Sequence, residues 1–526
     1  MEAGGGRAPR ANDVRPSSAG VVFLLLLLTA VASIPVVTHP LPPLSDYVNH
    51  LARMHIIDAI GSDADLSRYY TIEWQIIPNL MMDLIVPVLH RFMSVYQAGE
   101  IFTIFAFVLI ISGTLALNRV LTARWSILPL IALPLLYNGV LLVGVMNYVF
   151  GVGLALWALA AWVAFRERYW PWRHAVSALF ALALYFCHLS AAGVYGLGVF
   201  AFELHRLWVR RTEPRLPLLL DFTASGAPFL LLASLLMAGP TWHVDGISAY
   251  WELAGKLDGL MLAVNVYYPT VAFSLLAIAG LAGIYAWSHG ILGFHPVGLA
   301  ILVTGTIVYL AMPRALFGAF LADQRLPIAL AFMLIACFDF KPRKRIAHAG
   351  LLAVVIALLA MRITEVQLVW NHLQKFTDQF VQSVKEIRRG SRVLVVYGNR
   401  SSGREISDFE LVHAASIATI ERSAMVSTLF TVRGKQILHA RREFEKYVET
   451  EDRWPPSLPY VLQVAHGDKA STSYFWKDWP QHYDYVYLLF TTPDMRNPDG
   501  VHLGLVYDGD AFQLYRVLPT ISAMSR

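Results

Sequence analysis

Repeated apolar runs separated by short clusters of arginine and lysine leave a chain few ways to fold. The runs fall at 21–37, 99–117, 126–142, 143–164, 175–190, 191–207, 222–239, 270–287, 297–312, 326–340 and 349–370. A helix needs about 20 apolar residues to cross a bilayer, and only helices and closed barrels satisfy their main-chain polar groups there. Because 56% of residues are hydrophobic and 15% charged, lipid has to be part of the solvent. The expected class is an α-helical polytopic membrane protein with about eleven transmembrane helices.

The charges orient those helices. Arg7, Arg10 and Arg15 hold an N-terminus expected to be disordered (1–20) in the cytoplasm. Alternate loops then carry Arg119 and Arg124, then Arg166, Arg168 and Arg173, then Arg206, Arg210, Arg211 and Arg215, and finally Lys341, Arg343, Lys344 and Arg345. Positive residues stay inside, so the long first loop, 38–97, lies outside, and an odd number of spans leaves everything after Asn371 outside as well. The expected organisation is a transmembrane domain over 21–375 and a soluble extracytoplasmic domain over 376–526, in a bacterial-type inner (plasma) membrane. A cleavable signal peptide is the rival reading of the first run, since Ala30-Val31-Ala32 offers a small-residue cleavage site. The net charge of +5 does not point to nucleic acid, because the cations sit between apolar runs rather than on one aromatic-studded face.

The tail reads as a small α/β domain. A β-branched run covers 392–397, a helical stretch 409–425, a strand 485–490, and 503–517 folds around Asp508-Gly509. There is no Walker loop, no GxGxxG and no HExxH, and the two cysteines lie in apolar runs, so neither nucleotide-driven transport nor zinc proteolysis has sequence support. Trp454, Trp476, Trp479, Tyr483 and Tyr485 suit either a glycan-facing surface or a domain core. His413 and Glu421, eight apart on the expected helix, read as a surface pair.

The first outer loop carries the most chemistry. Pro42 and Pro43 end the first helix, Ser45 or Asp46 can cap a second, and Asp46, Asn49, His50 and Arg53 then recur at helical spacing opposite Leu51, Met54 and Ile57. That pattern predicts an amphipathic helix at the membrane face, whose polar side offers a general base, an imidazole to tune it and an anion binder. The plain alternative is an N-cap aspartate on a wetted helix. Glu73, Asn79 and Asp83 follow. A carboxylate within 80–89 would cost about 2–3 kcal/mol facing lipid, so Asp83 is expected to face protein or a wet cavity.

A hydrophobic first helix, a long outer loop with an acidic residue soon after it, many further spans and an outer C-terminal domain together resemble the GT-C class of polyprenyl-phosphate-sugar-dependent glycosyltransferases. The resemblance covers the whole architecture, and its residue-level anchor is Asp46 in Leu44-Ser45-Asp46-Tyr47. It implies that Asp46 deprotonates an acceptor hydroxyl as it attacks a lipid-linked sugar with inversion. Many members carry a pair of acidic residues where this sequence has one, which weakens the argument for a metal. No cofactor is required by the sequence, and a divalent cation is left open.

A phosphate leaving group calls for a cation on the same side. Arg325, in Asp323-Gln324-Arg325, fits that role by the same resemblance, and Arg314 lies in the same loop. The rival is an Asp323–Arg325 pair that only caps a helix. Asn138, Asn147 and His188 sit at outer helix ends, where they either satisfy main chain or contact sugar hydroxyls. The expected function is therefore an inverting glycosyltransferase with Asp46 and His50 catalytic, and Arg325, Arg314, Glu73, Asn79, Asp83, Asn138, Asn147 and His188 binding substrate. Its partners would be the bilayer, a polyprenyl-phosphate-linked sugar and a glycan, lipid or protein acceptor, with no nucleic acid. A transporter or flippase, and a non-catalytic anchor for an envelope assembly, are the competing classes. Convergence of Asp46, Asp83 and Arg325 separates an enzyme from an anchor.

Overall fold

The computed structural model describes residues 16–168, 170–244, 249–316, 320–399, 403, 406–448, 455–465, 475–492 and 495–519. Trp454 of the expected aromatic surface lies outside these. The chain is a multi-pass helical membrane protein carrying a small sheet domain. Its helices are α1 (Ser18–Ala32), α2 (Tyr47–Ala59), α3 (Met81–His90), α4 (Val95–Thr122), α5 (Met146–Ala164), α6 (Trp170–Cys187), α7 (Leu189–Val209), α8 (Arg215–Ala224), α9 (Ala227–Ala238), α10 (Pro269–Ser288), α11 (Val297–Ala311), α12 (Leu326–Ala336) and α13 (Arg345–Val384), besides shorter pieces. Among the described residues, six helical stretches are long and apolar enough to span a membrane: Ser18–Thr38, Val95–Thr122, Met146–Ala164, Arg215–Ala238, Pro269–Ser288 and Arg345–Val384.

The departures from the expected runs have local causes. The first helix starts at Ser18 rather than near 21, because the Ser17 hydroxyl accepts from the Gly20 N–H and caps it. The run at 126–142 is not one helix but a 3₁₀ stretch, Leu128–Leu136, and a short helix, Gly139–Val143. Pro129 and Pro134 supply no N–H there, and Asn138 starts the second piece. Helix α13 runs through the expected domain boundary, and its Phe380 and Val384 join the core of the tail.

Ion pairs gather the basic loops at one end of the bundle. Arg166 reaches Glu203 and Asp221, Arg173 reaches Asp221, and Arg124 and Lys341 both reach Asp339. The opposite end carries the first loop and the tail.

The tail holds a five-stranded sheet built from β2 (Arg392–Tyr397), β3 (Met425–Val426), β5 (Tyr485–Leu489), β6 (Leu503–Asp508) and β7 (Phe512–Val517), in the order β3-β2-β5-β7-β6. Strands β3, β2 and β5 are parallel, and β7 runs against both β5 and β6. Both faces are buried, which explains why β2 reads as a continuous apolar run rather than an alternating one. Val393, Val395, Tyr487 and Phe512 pack on Phe380 and Val384 of α13 and on Ile417 and Ala418. Leu394, Val396, Val486 and Tyr515 pack on Ala52, Ile56, Leu66 and Tyr70 of the first loop. Trp476, Trp479, Tyr483 and Tyr485 are buried, so these aromatics are core.

A further two-stranded sheet ties the first loop to the tail, pairing β1 (Tyr70–Ile72) antiparallel with β4 (Leu438–Ala440), Thr71 opposite His439. The consequence falls on α2. It was expected to present a wet polar face, yet Tyr47 through Met54 are all buried. Helices α3 and α4 pack against it from the bundle, and α14 (Ile417–Arg422) with the turn Ala414–Ser416 packs against it from the tail.

Candidate functional site

Asp46 is held in place by main chain. The Ser45 N–H donates to the Leu142 carbonyl (2.9 Å) and the Asp46 N–H to the Val143 carbonyl (3.0 Å). Gly144 makes the approach possible: its φ is +86°, and a Cβ there would lie 2.7 Å from the Asp46 nitrogen. Asp46 occupies the N-cap position of α2, but its carboxylate makes no capping hydrogen bond. The plain alternative, an aspartate spent on capping, is therefore not what this side chain does. It faces the tail, with Oδ1 3.5 Å from Nε2 of His413, and keeps 25% of its side chain exposed.

Around this pair the polar face of α2 is dry. The Asn49 amide donates to the Thr428 carbonyl (2.8 Å) and accepts from the Phe430 N–H (3.0 Å), and its nitrogen lies 3.2 Å from His413 Nδ1. The Phe430 ring stands between two imidazoles, with centroids 5.0 Å from His413 and 5.7 Å from His50. His50 was expected to tune Asp46; the ring 3.5 Å from the carboxylate is instead His413, and His50 Nδ1 is buried without a hydrogen-bond partner. Burial, reinforced by Arg53, pushes the His50 imidazole down to about 3, so the ring is neutral at any working pH. Arg53 turns its guanidinium on Asp83 in a two-pronged pair, 2.8 and 2.9 Å, both side chains essentially unexposed. Asp83 thus faces protein.

The turn before α3 is clamped to the start of α5 by Asn147, whose oxygen accepts from the Met82 N–H (2.7 Å) and whose nitrogen donates to the Asn79 carbonyl (2.8 Å) and side-chain oxygen (2.9 Å). Asn79 takes a left-handed φ of 70°, which asparagine tolerates. The next N–H, of Leu80, donates to Phe186 (2.6 Å), which brings the end of α6 alongside. His188 follows. Its Nδ1 accepts from the Ser190 N–H to cap α7 (3.0 Å), and its Nε2 lies 2.7 Å from Nη1 of Arg325. Tyr148, one residue beyond Asn147, donates to the Arg325 carbonyl (2.5 Å). The expected Asp323–Arg325 cap is not the arrangement found: Asp323 pairs with buried Lys256 (2.7 Å), and Arg325 donates to the Phe320 carbonyl (2.9 Å) as well as facing His188.

Contacts between the first loop, α5, α6 and α12 thus tie Asn79 to Asn147 and His188 to Arg325, Asp83 is joined to Arg53 of α2, and Asp46 is joined to the stretch before α5 through its main chain at Val143. The structure puts the others to different use. Asn138 caps the Gly139–Val143 helix through Leu141. Arg314 lies 3.5 Å from Glu252 and over the Phe320 ring. Glu73 lies 3.5 Å from Arg433 and 3.9 Å from His439 of the tail, beside a cleft of about 530 Å³ lined by His243, Arg433 and Glu445 among others.

His413 was missed as a site residue; it comes from the tail, and no local pattern announces it. The His413–Glu421 surface pair is not formed: His413 lies in the turn after the Phe409–Val412 helix, Glu421 lies on the helix Ile417–Arg422, and Glu421 accepts instead from the Tyr96 hydroxyl (2.7 Å). Among the described residues no group of three or more histidines, cysteines or carboxylates is placed to hold a metal ion.

No protein-family model matches the chain and no curated protein matches it. Solved structures do. ArnT from Cupriavidus metallidurans bound to undecaprenyl phosphate superposes with a TM-score of 0.50 at 10% identity, over 95% of this chain and 98% of that one. The apo state of the same protein gives 0.46 and 11% over the same shares. Sharing that architecture over 95% of its length, the chain has the GT-C fold.

Proposed function

We propose that the chain is an inverting glycosyltransferase that moves a sugar from a polyprenyl phosphate carrier to an acceptor presented on the outer side of the inner membrane, with the N-terminus in the cytoplasm. The observation that carries this reading is the Asp46 carboxylate: it sits at a helix start without capping it, is partly exposed, and lies within a roofed polar layer at the end of the bundle away from the basic loops. A carboxylate that caps nothing and keeps part of its surface exposed, in a chain of this fold, is a candidate base. The undecaprenyl phosphate bound by the ArnT structure supports the carrier class.

In this reading the acceptor hydroxyl gives its proton to Asp46 as its oxygen bonds to the anomeric carbon. The bond from that carbon to the phosphate oxygen breaks on the opposite face, and its electron pair leaves with the carrier phosphate. Negative charge grows there, and Arg325 answers it; the guanidinium is already placed by His188 and the Phe320 carbonyl, so little reorganisation is needed. The proton leaves Asp46 through its exposed edge. The test is incorporation of radiolabelled sugar by membranes with and without the chain, supplied with a panel of radiolabelled nucleotide sugars, followed by identification of the labelled glycan. Label that depends on the chain is the expected result, and identical labelling patterns in the two membranes contradict the proposal.

A further inference from the structure

The Asn49 amide has its orientation fixed from two sides. Its oxygen must be the atom that accepts from the Phe430 N–H, and its nitrogen the atom that donates to the Thr428 carbonyl. The second hydrogen on that nitrogen is directed at His413 Nδ1, 3.2 Å away. An amide nitrogen only donates, so Nδ1 has to carry a lone pair, and the proton of the neutral ring sits on Nε2. Nε2 is the atom that faces Asp46 Oδ1.

From this we infer that His413 is a positioning residue for Asp46: its Nε2–H is presented to one carboxylate oxygen and leaves the other for the acceptor hydroxyl. This rests on the reading of Asp46 as the base. The separation of 3.5 Å is long for a hydrogen bond, and such contacts shorten when substrate closes a site. His413 cannot itself take the acceptor proton, because Nε2 is already protonated and Nδ1 is occupied by Asn49. The proton stays on Asp46 and is lost from there. The tail is then part of the reaction centre, and the main chain at 428–430 sets the tautomer through Asn49.

The test uses the full chain in lipid nanodiscs, labelled with ¹⁵N-histidine, and the His413 signals are assigned by comparison with His413→Gln. The expected spectrum has an unprotonated Nδ1 and a protonated Nε2, and Asn49→Leu turns it into a mixture of tautomers. A wild-type His413 protonated on Nδ1, or on both nitrogens, overturns the inference. In the membrane transfer assay His413→Gln, which keeps a donor near the Nε2 position, retains most activity, whereas His413→Phe lowers kcat about 10- to 100-fold with KM unchanged. Equal loss in both variants, or a loss confined to KM, overturns it. The two readings fail separately. If Asp46→Asn transfers sugar normally, the base assignment is wrong; if Asp46→Asn is inactive and His413→Phe has wild-type kcat, only the role of His413 is wrong.

Discussion

Arg53 and Asp83 form a buried, two-pronged ion pair that ties the roofed helix α2 to α3, with nitrogen–oxygen distances of 2.8 and 2.9 Å. Neither charge has water to fall back on. Removing one partner leaves the other uncompensated, which costs about 3–5 kcal/mol, whereas replacing both with apolar residues is close to neutral. Asp83→Leu is therefore expected to lower the thermal midpoint in detergent markedly, and Arg53→Met combined with Asp83→Leu to recover much of the loss. Equal melting of the single and double variants would show that the pair does not hold the two helices.

Gly144 sets the distance between Asp46 and the Gly139–Val143 helix. An added methyl would lie 2.7 Å from the Asp46 nitrogen, in a backbone conformation at φ +86° that disfavours a side chain. Gly144→Ala is expected to destabilise the chain by about 1–3 kcal/mol and to lower sugar transfer, because the loop that carries Asp46 has to shift. A normal melting curve together with normal transfer contradicts the assigned role of this glycine.

His50 makes stability depend on pH. Its folded-state imidazole is pushed down to about 3 by burial, from 6.5 in the unfolded chain. Between these values the unfolded chain binds the extra proton, so this contribution is fully present above pH 6.5 and is lost as pH falls toward 3. By pH 5 the loss is about 2 kcal/mol. His50→Phe is expected to flatten the dependence of the thermal midpoint over pH 4.5–6.5, and an unchanged slope contradicts the assignment.

Arg325 is expected to hold the carrier phosphate. Charge-assisted hydrogen bonds contribute about 1.5–3 kcal/mol, so Arg325→Met should weaken binding of undecaprenyl phosphate roughly 10- to 100-fold, measured with purified protein. Arg314, beside Glu252 and over Phe320, serves as the comparison, and Arg314→Met should leave that affinity nearly unchanged. Equal effects of the two substitutions contradict the placement of the phosphate.

Much of this architecture is legible in the sequence, because its signals are local or one-dimensional. The basic clusters at Arg124, Arg166 and Lys341 mark one end of the bundle, and the apolar run at 392–397 marks a strand buried on both faces. Asp46 stands out as an acidic residue soon after the first helical stretch, which ends at Thr38, before Pro42 and Pro43. The rest depends on contacts across hundreds of residues. Nothing near Asp46 announces His413, and the amphipathic spacing of α2 looks the same under water as under a protein roof. Lys256 and Asp323 pair across a span no helical period connects, which is why Asp323 read as a partner for Arg325 instead.

The central claim is that Asp46 takes the acceptor proton. It is tested most directly by comparing kcat of the purified chain with that of Asp46→Asn, using the polyprenyl-linked donor identified from its own membranes. The account predicts a fall of about 10²- to 10⁴-fold, with donor KM and thermal midpoint unchanged because the carboxylate caps nothing. An Asp46→Asn chain that turns over at the wild-type rate contradicts it.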